Sequence, residues 1–393
     1  MGSMGSTLSD GLRIAYRMVR EPVGSLLGRA RHALGWNGPA RIQPYRGYGN
    51  AARLKVVGRV VEEHATRAPR PEDSWRRNLA ATWRRFRVRR VPDVAVRARL
   101  DGIEVEGRAD DLGYFELILE PPEPRADDRS TREVTVVLVE PQGEAQRAVS
   151  TLATVVVPSV NARFGVISDI DDTIVYSHAT DLLRLIRITA LQNSRTRAPL
   201  HGAAAFYRAL ARGADGQRDN PVFYVSSAAW NLYDLLDDFI AHHGFPSGPI
   251  LLRDFGIERN TLFRSSHRHK IDKVEQILAA TGDLPFVLIG DAGQHDPDLY
   301  QEIALAAPER IAAIYIRSVA WRDRSADMAR RIEELAARGV AMRFVADTRA
   351  AADDALRRGL IAPEALAAIT ADRRADRALE TGDEDAIAAR AEP

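Results

Sequence analysis

Residues 164–173 read FGVISDIDDT, an apolar run that leads directly into an Asp-x-Asp-x-Thr pattern. The run predicts a short buried strand, and Asp169, Asp171 and Thr173 follow it. Open α/β sheets bind their ligands at the carboxyl edge of parallel strands, so we expect both carboxylates at such an edge. Two neighbouring acids suit phosphoryl transfer, because one can attack phosphorus while the other handles the proton. Alone, the pattern also fits a solvated turn or a helix cap formed by Thr173.

A second apolar segment, PVFYVS at residues 221–226, predicts another strand that ends in a hydroxyl group. Ser226 at that end can donate a hydrogen bond to a phosphoryl oxygen. Ser227 is the alternative donor. The competing interpretation makes this serine pair the N-cap of a helix over Ala228–Leu236.

Lysine is rare in this chain. Only Lys55, Lys270 and Lys273 occur among 55 basic residues, and two of them lie in SSHRHKIDKVEQIL, near a predicted helix start. A compact ammonium group suits a phosphoryl contact, which favours Lys270 as a site residue. For Lys273 we expect a solvated charge on the helix surface.

The stretch PFVLIGDAGQHDPD at residues 285–298 predicts a further buried strand that ends in Gly-Asp. Carboxylate oxygens suit Mg²⁺, so Asp291 is the expected ligand, and Asp296 can bind the ion directly or through a water molecule. Asp298 is a weaker substitute for Asp296. His295 has no partner at ligand spacing, which indicates a supporting or surface position.

The four segments together resemble the haloacid dehalogenase superfamily of Mg²⁺-dependent phosphatases that form an aspartyl-phosphate. A closer resemblance is carried by DIDDT, YVSSAAWNLY, HK and IGDAGQHDP. These motifs look like the phosphatidate phosphatase domain of the actin-patch protein family, which is related to the lipins. The resemblance covers about Val157 to Val345.

The resemblance implies a role for each matching residue. Asp169 would be the nucleophile, and Asp171 would protonate the leaving group and later deprotonate water. Mg²⁺ would be held by Asp169, the backbone carbonyl of Asp171, and Asp291. The remaining positions would grip the phosphoryl group or orient the catalytic loop: Ser226 and Lys270 for the former, and Thr173 for the latter.

Hydrophobic periodicity predicts an α/β protein in which a doubly wound, Rossmann-like domain follows an all-β, sandwich-like domain. The resemblance implies that the doubly wound domain is a haloacid dehalogenase domain. The expected segments are a basic helical region (1–45), the β domain (46–158), the phosphatase domain (159–350), and a helical extension (351–393) whose tail is disordered from about Asp376. Strands of the β domain are expected at 56–61, 86–100, 103–106, 114–119 and 134–139. Continuous apolar runs predict the parallel strands at 164–169, 221–226, 249–252, 285–290, 311–317 and 340–345.

Composition bounds the compartment and the partners. The 393 residues include no cysteine, which excludes disulfides and thiolate metal sites, and no apolar run long enough to span a bilayer. Residues 1–100 hold 21 Lys and Arg against 7 Asp and Glu, which favours an anionic surface as partner. We expect a cytoplasmic protein at the membrane periphery. No recognition motif for nucleic acid is present.

Two basic segments have open interpretations. Residues 7–36 predict amphipathic helices that either lie in a membrane interface or pack on the following domain. Residues 85–89 alternate Arg with Phe and Val, so their basic face binds phosphates or is simply solvated.

The spacing between motifs predicts an open site. Only 52 residues separate Thr173 from Ser226, and 42 separate Ser227 from Lys270, which leaves little room for a cap domain. An apolar helix at Asp181–Gln192 either dips into lipid or belongs to the core. These features favour phosphatidate in a membrane surface as substrate. The alternatives are soluble phosphomonoesters or phosphoproteins, and a non-catalytic membrane or cytoskeletal adaptor.

Overall fold

The computed structural model describes residues 39–62, 91–124, 128–139, 149–170, 201–253, 266–292, 295–317 and 325–381. These residues form two β-sheets and a set of α-helices, which confirms the α/β class. The predicted segments at 7–36, 85–89 and 181–192 lie outside the described residues. None of the helices in the described ranges is long and apolar enough to cross a bilayer.

The first sheet has seven strands in the order β4-β3-β6-β7-β1-β2-β5. Its neighbours pair antiparallel except for β1 and β7, and β4 also contacts β5, so the sheet curls around its own apolar core. The strands are Ala40–Gly49 (β1), Leu54–Glu62 (β2), Ala95–Leu100 (β3), Ile103–Arg108 (β4), Tyr114–Leu119 (β5), Thr131–Leu138 (β6) and Ser150–Val156 (β7).

The hairpin between β3 and β4 follows from its turn residues. Asp101 and Gly102 both adopt positive φ, 48° and 83°, as a two-residue hairpin turn of this kind requires. Two strands were missed in the sequence, β1 and β7. Residues 40–45, expected in a helical segment, form the first half of β1, because this stretch pairs with β2 through Tyr45. Of the predicted strand at 86–100, Ala95–Leu100 is confirmed, residues 91–94 are not in a strand, and residues 86–90 lie outside the described part.

The second sheet has six parallel strands in the order β10-β9-β8-β11-β12-β13. They are Gly165–Asp169 (β8), Val222–Ala229 (β9), Ile250–Arg253 (β10), Phe286–Asp291 (β11), Ile311–Arg317 (β12) and Met342–Val345 (β13). The helices are Ala203–Arg212 (α1), Tyr233–His242 (α2), Ser266–Ala280 (α3), Asp296–Ala306 (α4), Ser325–Ala336 (α5), Thr348–Arg357 (α6) and Ala365–Thr381 (α7). All six predicted strands are confirmed, although β9 continues three residues beyond Ser226.

The chain reverses its direction across this sheet between β8 and β11. Counted from β8, the spatial order is 3-2-1-4-5-6, so these two strands lie side by side but lead to opposite halves of the sheet. Loops diverge at such a point and leave a crevice at the carboxyl edge. Asp169 ends β8 and Asp291 ends β11, so both acids border the crevice.

Helices cover both faces of the parallel sheet. Successive strand residues alternate between two apolar clusters; Val166 belongs to one and Ile167 to the other. Residues of α1, α2, α6 and α7 contribute to or pack against the first cluster, whereas α3, α4 and α5 line the second. This double cover explains why the strands are continuous apolar runs in the sequence.

Aromatic rings join the two sheets. Tyr45 of β1 stacks on Tyr233 with centroids 4.0 Å apart and on Trp230 at 5.3 Å, and Tyr114 of β5 lies 6.4 Å from Tyr45. The backbone N–H of Arg46 donates to the Tyr233 hydroxyl at 2.9 Å. Trp230 and Tyr233 follow directly after β9, so the first sheet is packed against the end of a strand of the second.

The final described helix runs further than the sequence predicts. A disordered tail is expected from about Asp376, but α7 continues to Thr381 and Asp376 is buried. Its carboxylate accepts the Gly202 N–H at 2.8 Å, and Asp372 accepts the Ala205 N–H at 3.0 Å. The prediction is wrong for residues 376–381 because these acids bind the N-terminal N–H groups of α1. Residues 382–393 lie outside the described part.

Candidate active site

Three of the predicted site residues lie on adjacent strands at the crevice. Asp169 ends β8 and pairs in register with Val225 of β9, so Ser226 stands one residue further along that neighbour. Asp291 ends β11 on the other side of β8. Asp171 and Thr173, in the loop that follows β8, lie outside the described residues.

Lys270 links the strands to the helices. It lies in the second turn of α3, and its Nζ is 2.7 Å from Oδ1 of Asp169 and 3.2 Å from Oδ1 of Asp296. All three residues are buried, with exposed fractions of 6%, 1% and 1%. Burying charged groups is costly unless they pair, so this contact fixes the Lys270 ammonium against both acids.

Asp296 also supports the backbone at the end of β11. Its Oδ2 accepts the Asp291 N–H at 3.0 Å, while Oδ1 contacts Lys270. A Cβ on Gly290 would lie 2.7 Å from that same Oδ2, so only glycine permits this close approach. Both carboxylate oxygens of Asp296 thus contact protein donors. Its role as a Mg²⁺ ligand stays a prediction.

Ser226 is fully buried within β9. Its Oγ accepts a hydrogen bond from the Ala228 N–H at 3.0 Å. As a hydroxyl, Ser226 can also act as a hydrogen-bond donor. The competing interpretation, a cap on a helix over Ala228–Leu236, is wrong: β9 continues to Ala229, a short 3₁₀ turn covers Trp230–Leu232, and α2 begins at Tyr233.

The alternative residues occupy different positions. Lys273 was expected to be solvated but is 8% exposed, so that expectation is wrong. His295 lies on the surface, with 83% of its side chain exposed, as predicted. Asp298 binds Arg331 of α5 at 2.6 Å.

Arg317 borders the crevice and was missed in the sequence. It ends β12, pairs in register with Asp291, and its Nη1 lies 3.8 Å from Oδ2 of that acid. Its carbonyl accepts the Ala292 N–H at 2.8 Å. A signal was present, since Arg317 closes an apolar strand as the aspartates do, but a terminal arginine is too common after a strand to stand out.

Two buried tyrosines approach Asp169 from the helices, and the sequence does not single them out. Burial raises the pKa of Tyr300 well above its ordinary value, and the charges of Asp296 and Asp169 raise it further. Burial likewise raises the pKa of Tyr207, with a smaller upward effect from Asp169. Both phenols therefore stay protonated at neutral pH. Tyr300 follows Asp296 by four residues on α4, which is the one sequence signal available.

The donor chemistry of the site suits a hard divalent cation. Asp169 and Asp291 supply carboxylate oxygens at the ends of adjacent strands, the ligand type that Mg²⁺ prefers. Among the residues that the structure describes, no group of three or more His, Asp or Glu side chains is arranged to hold a metal ion. The third donor that the resemblance implies, the carbonyl of Asp171, falls outside the described part.

Comparison with known families supports the motif-based resemblance. Residues 164–318 match the family described as phosphatidate phosphatase APP1, catalytic domain. The match includes the described site residues Asp169, Ser226, Lys270, Asp291 and Asp296.

Two yeast relatives match over 155 residues, which is 39% of this chain. They are phosphatidate phosphatase APP1 of Saccharomyces cerevisiae, at 36% identity, and an uncharacterized protein of Schizosaccharomyces pombe, at 29%. The match spans 25% of the length of each relative. A solved carbohydrate acetylesterase from Xanthomonas citri aligns at 12% identity over 68% of this chain and 65% of that chain. Its TM-score of 0.23 is too low to support an argument. The resemblance expected from the motifs is therefore confirmed: residues 164–318 are similar to the catalytic domain of phosphatidate phosphatase APP1.

Proposed function

We propose that this protein is a phosphatase that hydrolyses phosphatidate to diacylglycerol and inorganic phosphate. The observation that carries the proposal is the contact of one buried ammonium, Lys270, with two buried acids, Asp169 and Asp296. Charged groups that are buried together beside a crevice are candidates for a functional site. The match of residues 164–318 to a phosphatidate phosphatase catalytic domain supports the same activity.

The reaction divides into two steps. A carboxylate oxygen of Asp169 attacks phosphorus, and the bond from phosphorus to the glycerol oxygen breaks as Asp171 protonates that oxygen. Asp171 then takes a proton from water, whose oxygen attacks phosphorus and releases inorganic phosphate and the free Asp169 carboxylate. Splitting the reaction through an aspartyl-phosphate replaces one difficult step with two easier ones.

The other residues hold the phosphoryl group. Lys270 neutralises negative charge on the transferring oxygens, and Ser226 donates a hydrogen bond to one of them. Asp296 keeps Lys270 in place from the other side. Thr173 orients the loop that carries Asp171.

Mg²⁺ would be held by Asp169, Asp291 and the carbonyl of Asp171, with Asp296 as a further ligand or a partner of a bound water. When bound, the ion offsets the negative charge that otherwise repels the nucleophile from the phosphate group. The Arg317 guanidinium lies 3.8 Å from the Asp291 carboxylate and offsets part of its negative charge.

The fold that best accounts for this site is a haloacid dehalogenase domain preceded by a sandwich-like β domain. The 3-2-1-4-5-6 strand order and the aspartates at the ends of β8 and β11 support the first part. The curled seven-stranded sheet around its own apolar core supports the second. Phosphatidate is a membrane lipid, so we place the reaction at a bilayer surface, reached from the cytoplasm.

The test is a phosphate-release assay with three substrates: phosphatidate in mixed micelles, a short-chain phosphatidate, and a soluble phosphomonoester. Each is measured with Mg²⁺ and with a chelator. We expect turnover of phosphatidate that requires Mg²⁺ and disappears in Asp169→Asn. Equal turnover of the soluble ester without micelles would replace phosphatidate with a soluble substrate. Absence of hydrolysis from all three substrates would contradict the enzyme assignment and favour an adaptor.

A further inference from the structure

The backbone of Asp169 is held by hydroxyl groups at the point where the pairing of β8 with β11 ends. β8 and β11 pair in parallel from Gly165 with Phe286 to Ser168 with Ile289. In this ladder Gly165 N–H donates to Pro285 C=O at 2.8 Å, and such bonds recur every second residue. Continued regularly, the ladder would join Asp169 N–H to Ile289 C=O.

Tyr300 occupies that position in the ladder. Its hydroxyl donates to Ile289 C=O at 3.0 Å. A hydrogen bond with the Asp169 backbone acts on the same phenol and lowers its pKa, against the larger effect of burial. The single hydroxyl hydrogen of Tyr300 is donated to Ile289 C=O, so toward the Asp169 backbone its oxygen can only accept, and the donor is the Asp169 N–H. The Tyr300 hydroxyl therefore bridges two strands at the point where they separate.

Tyr207 reaches the other side of the same residue. Its hydroxyl lies 2.6 Å from Oγ of Ser168, and Ser168 Oγ donates to the Asp169 C=O at 2.9 Å. Serine has a single hydroxyl hydrogen, which is used on Asp169, so Tyr207 must be the donor to Ser168. The direction of the chain is thus fixed: Tyr207 donates to Ser168, which donates to Asp169.

We propose that Tyr207 and Tyr300 are positioning residues of the phosphatase reaction, which hold the backbone on both sides of the Asp169 side chain. Tyr207 comes from α1 and packs in one apolar cluster, whereas Tyr300 comes from α4 and packs in the other. Asp169 is clamped from both faces of the sheet. This inference rests on the proposed function, because it assigns a purpose to the aim of the Asp169 carboxylate.

The clamp matters because attack on phosphorus depends on the aim of the nucleophile. A displacement of about 1 Å at a reacting group can lower the rate by about two orders of magnitude. Lys270 contacts the side chain of Asp169, whereas the tyrosines act on its backbone. Removing one hydroxyl should therefore lower kcat and leave KM almost unchanged.

The test compares Tyr300→Phe with Tyr224→Phe in the full chain. Tyr224 is also buried in the parallel sheet, and its hydroxyl donates to the backbone carbonyl of Pro246 at 2.7 Å instead of holding the Asp169 backbone. Both variants delete one buried hydroxyl and should lower the melting temperature similarly. We expect Tyr300→Phe to lower kcat about tenfold at a KM within about twofold of the wild type. Tyr224→Phe should leave both parameters within about twofold.

The second arm tests the relay. Tyr207→Phe and Ser168→Ala should each lower kcat. The variant that carries both changes should have the kcat of Ser168→Ala, because both changes break the same chain of hydrogen bonds. This arm also decides the matter if Tyr300→Phe does not fold. Losses in kcat no greater than that of Tyr224→Phe would overturn the inference. Asp169→Asn separates the two ideas: its full activity would remove the proposed function itself, whereas its inactivity beside fully active tyrosine variants would remove only the clamp.

Discussion

Buried carboxylates lie beside the parallel sheet in two places, and their described partners differ. In the candidate active site, the contacts among described residues give two acids, Asp169 and Asp296, one ammonium, Lys270. Asp354 of α6, far along the chain, is also buried. It accepts a hydrogen bond from the Tyr315 hydroxyl at 3.1 Å and forms ion pairs with three guanidinium groups. These belong to Arg343, Arg357 and Arg358, at 3.3, 3.1 and 2.6 Å.

The difference shows which cluster serves the fold and which serves chemistry. Asp354 has a surplus of donors, so it stabilises the contact of α6 with β12 and β13. The described contacts place Lys270 between two buried acids at the carboxyl edge of the parallel sheet, where open α/β sheets bind their ligands. Changes in this cluster should therefore affect ligand chemistry more than the fold. The comparison predicts opposite outcomes when equivalent acids are neutralised.

The largest expected effect is on activity. Asp169→Asn should lower phosphatidate hydrolysis by at least about 10³-fold, because an amide cannot act as the nucleophile. Asp354→Asn should leave turnover within about twofold. Both are checked by phosphate release, with circular dichroism as the control for folding. Comparable activity losses in the two variants would remove the distinction between the clusters.

The next effect separates two neighbouring lysines of α3. Lys270→Ala should lower the rate by about 10²–10³-fold, as expected for loss of a charge that stabilises the transition state. Lys273→Ala is the matched control, since Lys273 is equally buried and lies one helical turn away. A large loss in Lys273→Ala and none in Lys270→Ala would shift the functional ammonium to the second position.

The third effect concerns stability, and here Asp354→Asn should be more harmful than Asp169→Asn. Asp354→Asn should lower the free energy of unfolding by roughly 1–3 kcal/mol, since it weakens several buried hydrogen bonds at once. Asp169→Asn should lower the free energy of unfolding less or not at all, because Lys270 keeps its contact with the second acid, Asp296. Denaturant unfolding of both variants measures the difference. Greater destabilisation by Asp169→Asn would mean that the site acid is structural.

The smallest effect is a pH dependence. Burial would raise the pKa of Asp354, but hydrogen bonds and charge from Arg358, with Arg357, hold it below its ordinary 3.8. A group whose pKa is lower in the folded state than in the unfolded state stabilises the protein at pH values above its unfolded-state pKa. This stabilisation is lost as the pH falls through the folded-state pKa. The stability gap between wild type and Asp354→Asn should therefore be constant at pH 5–7 and narrow below about pH 3.8. A gap that widens in acid would contradict this assignment.

The sequence carried enough information for the parallel sheet and its functional edge. Strands β8, β9 and β11 are covered on both faces, so each is a continuous apolar run, and a polar residue after such a run marks the carboxyl edge. Chain order then brings Asp169, Ser226 and Asp291 together. The Asp101-Gly102 turn was equally clear, because few residue pairs adopt two positive φ angles.

What the sequence did not contain was information about contacts between distant elements. β1 includes Pro44 and two glycines, Gly47 and Gly49, all of which are unfavourable in a strand. Its strand character therefore depends on pairing with β2 and on the stacking of Tyr45 on Tyr233. Lys273 is buried because α3 packs against both β1 and β9, which a helical period cannot reveal. The hydroxyl bridge of Tyr300 likewise depends on where β8 and β11 separate.

The covalent step is the most direct test of the account. The wild-type protein would be mixed with phosphatidate micelles and Mg²⁺, quenched in acid, reduced with borohydride, and digested for peptide mass spectrometry. Borohydride converts an aspartyl-phosphate to homoserine, so we expect homoserine at position 169 and none in unreacted protein. Rapid phosphatidate turnover with unmodified aspartate at 169, or with the label on another residue, would contradict the assignment of Asp169 as nucleophile.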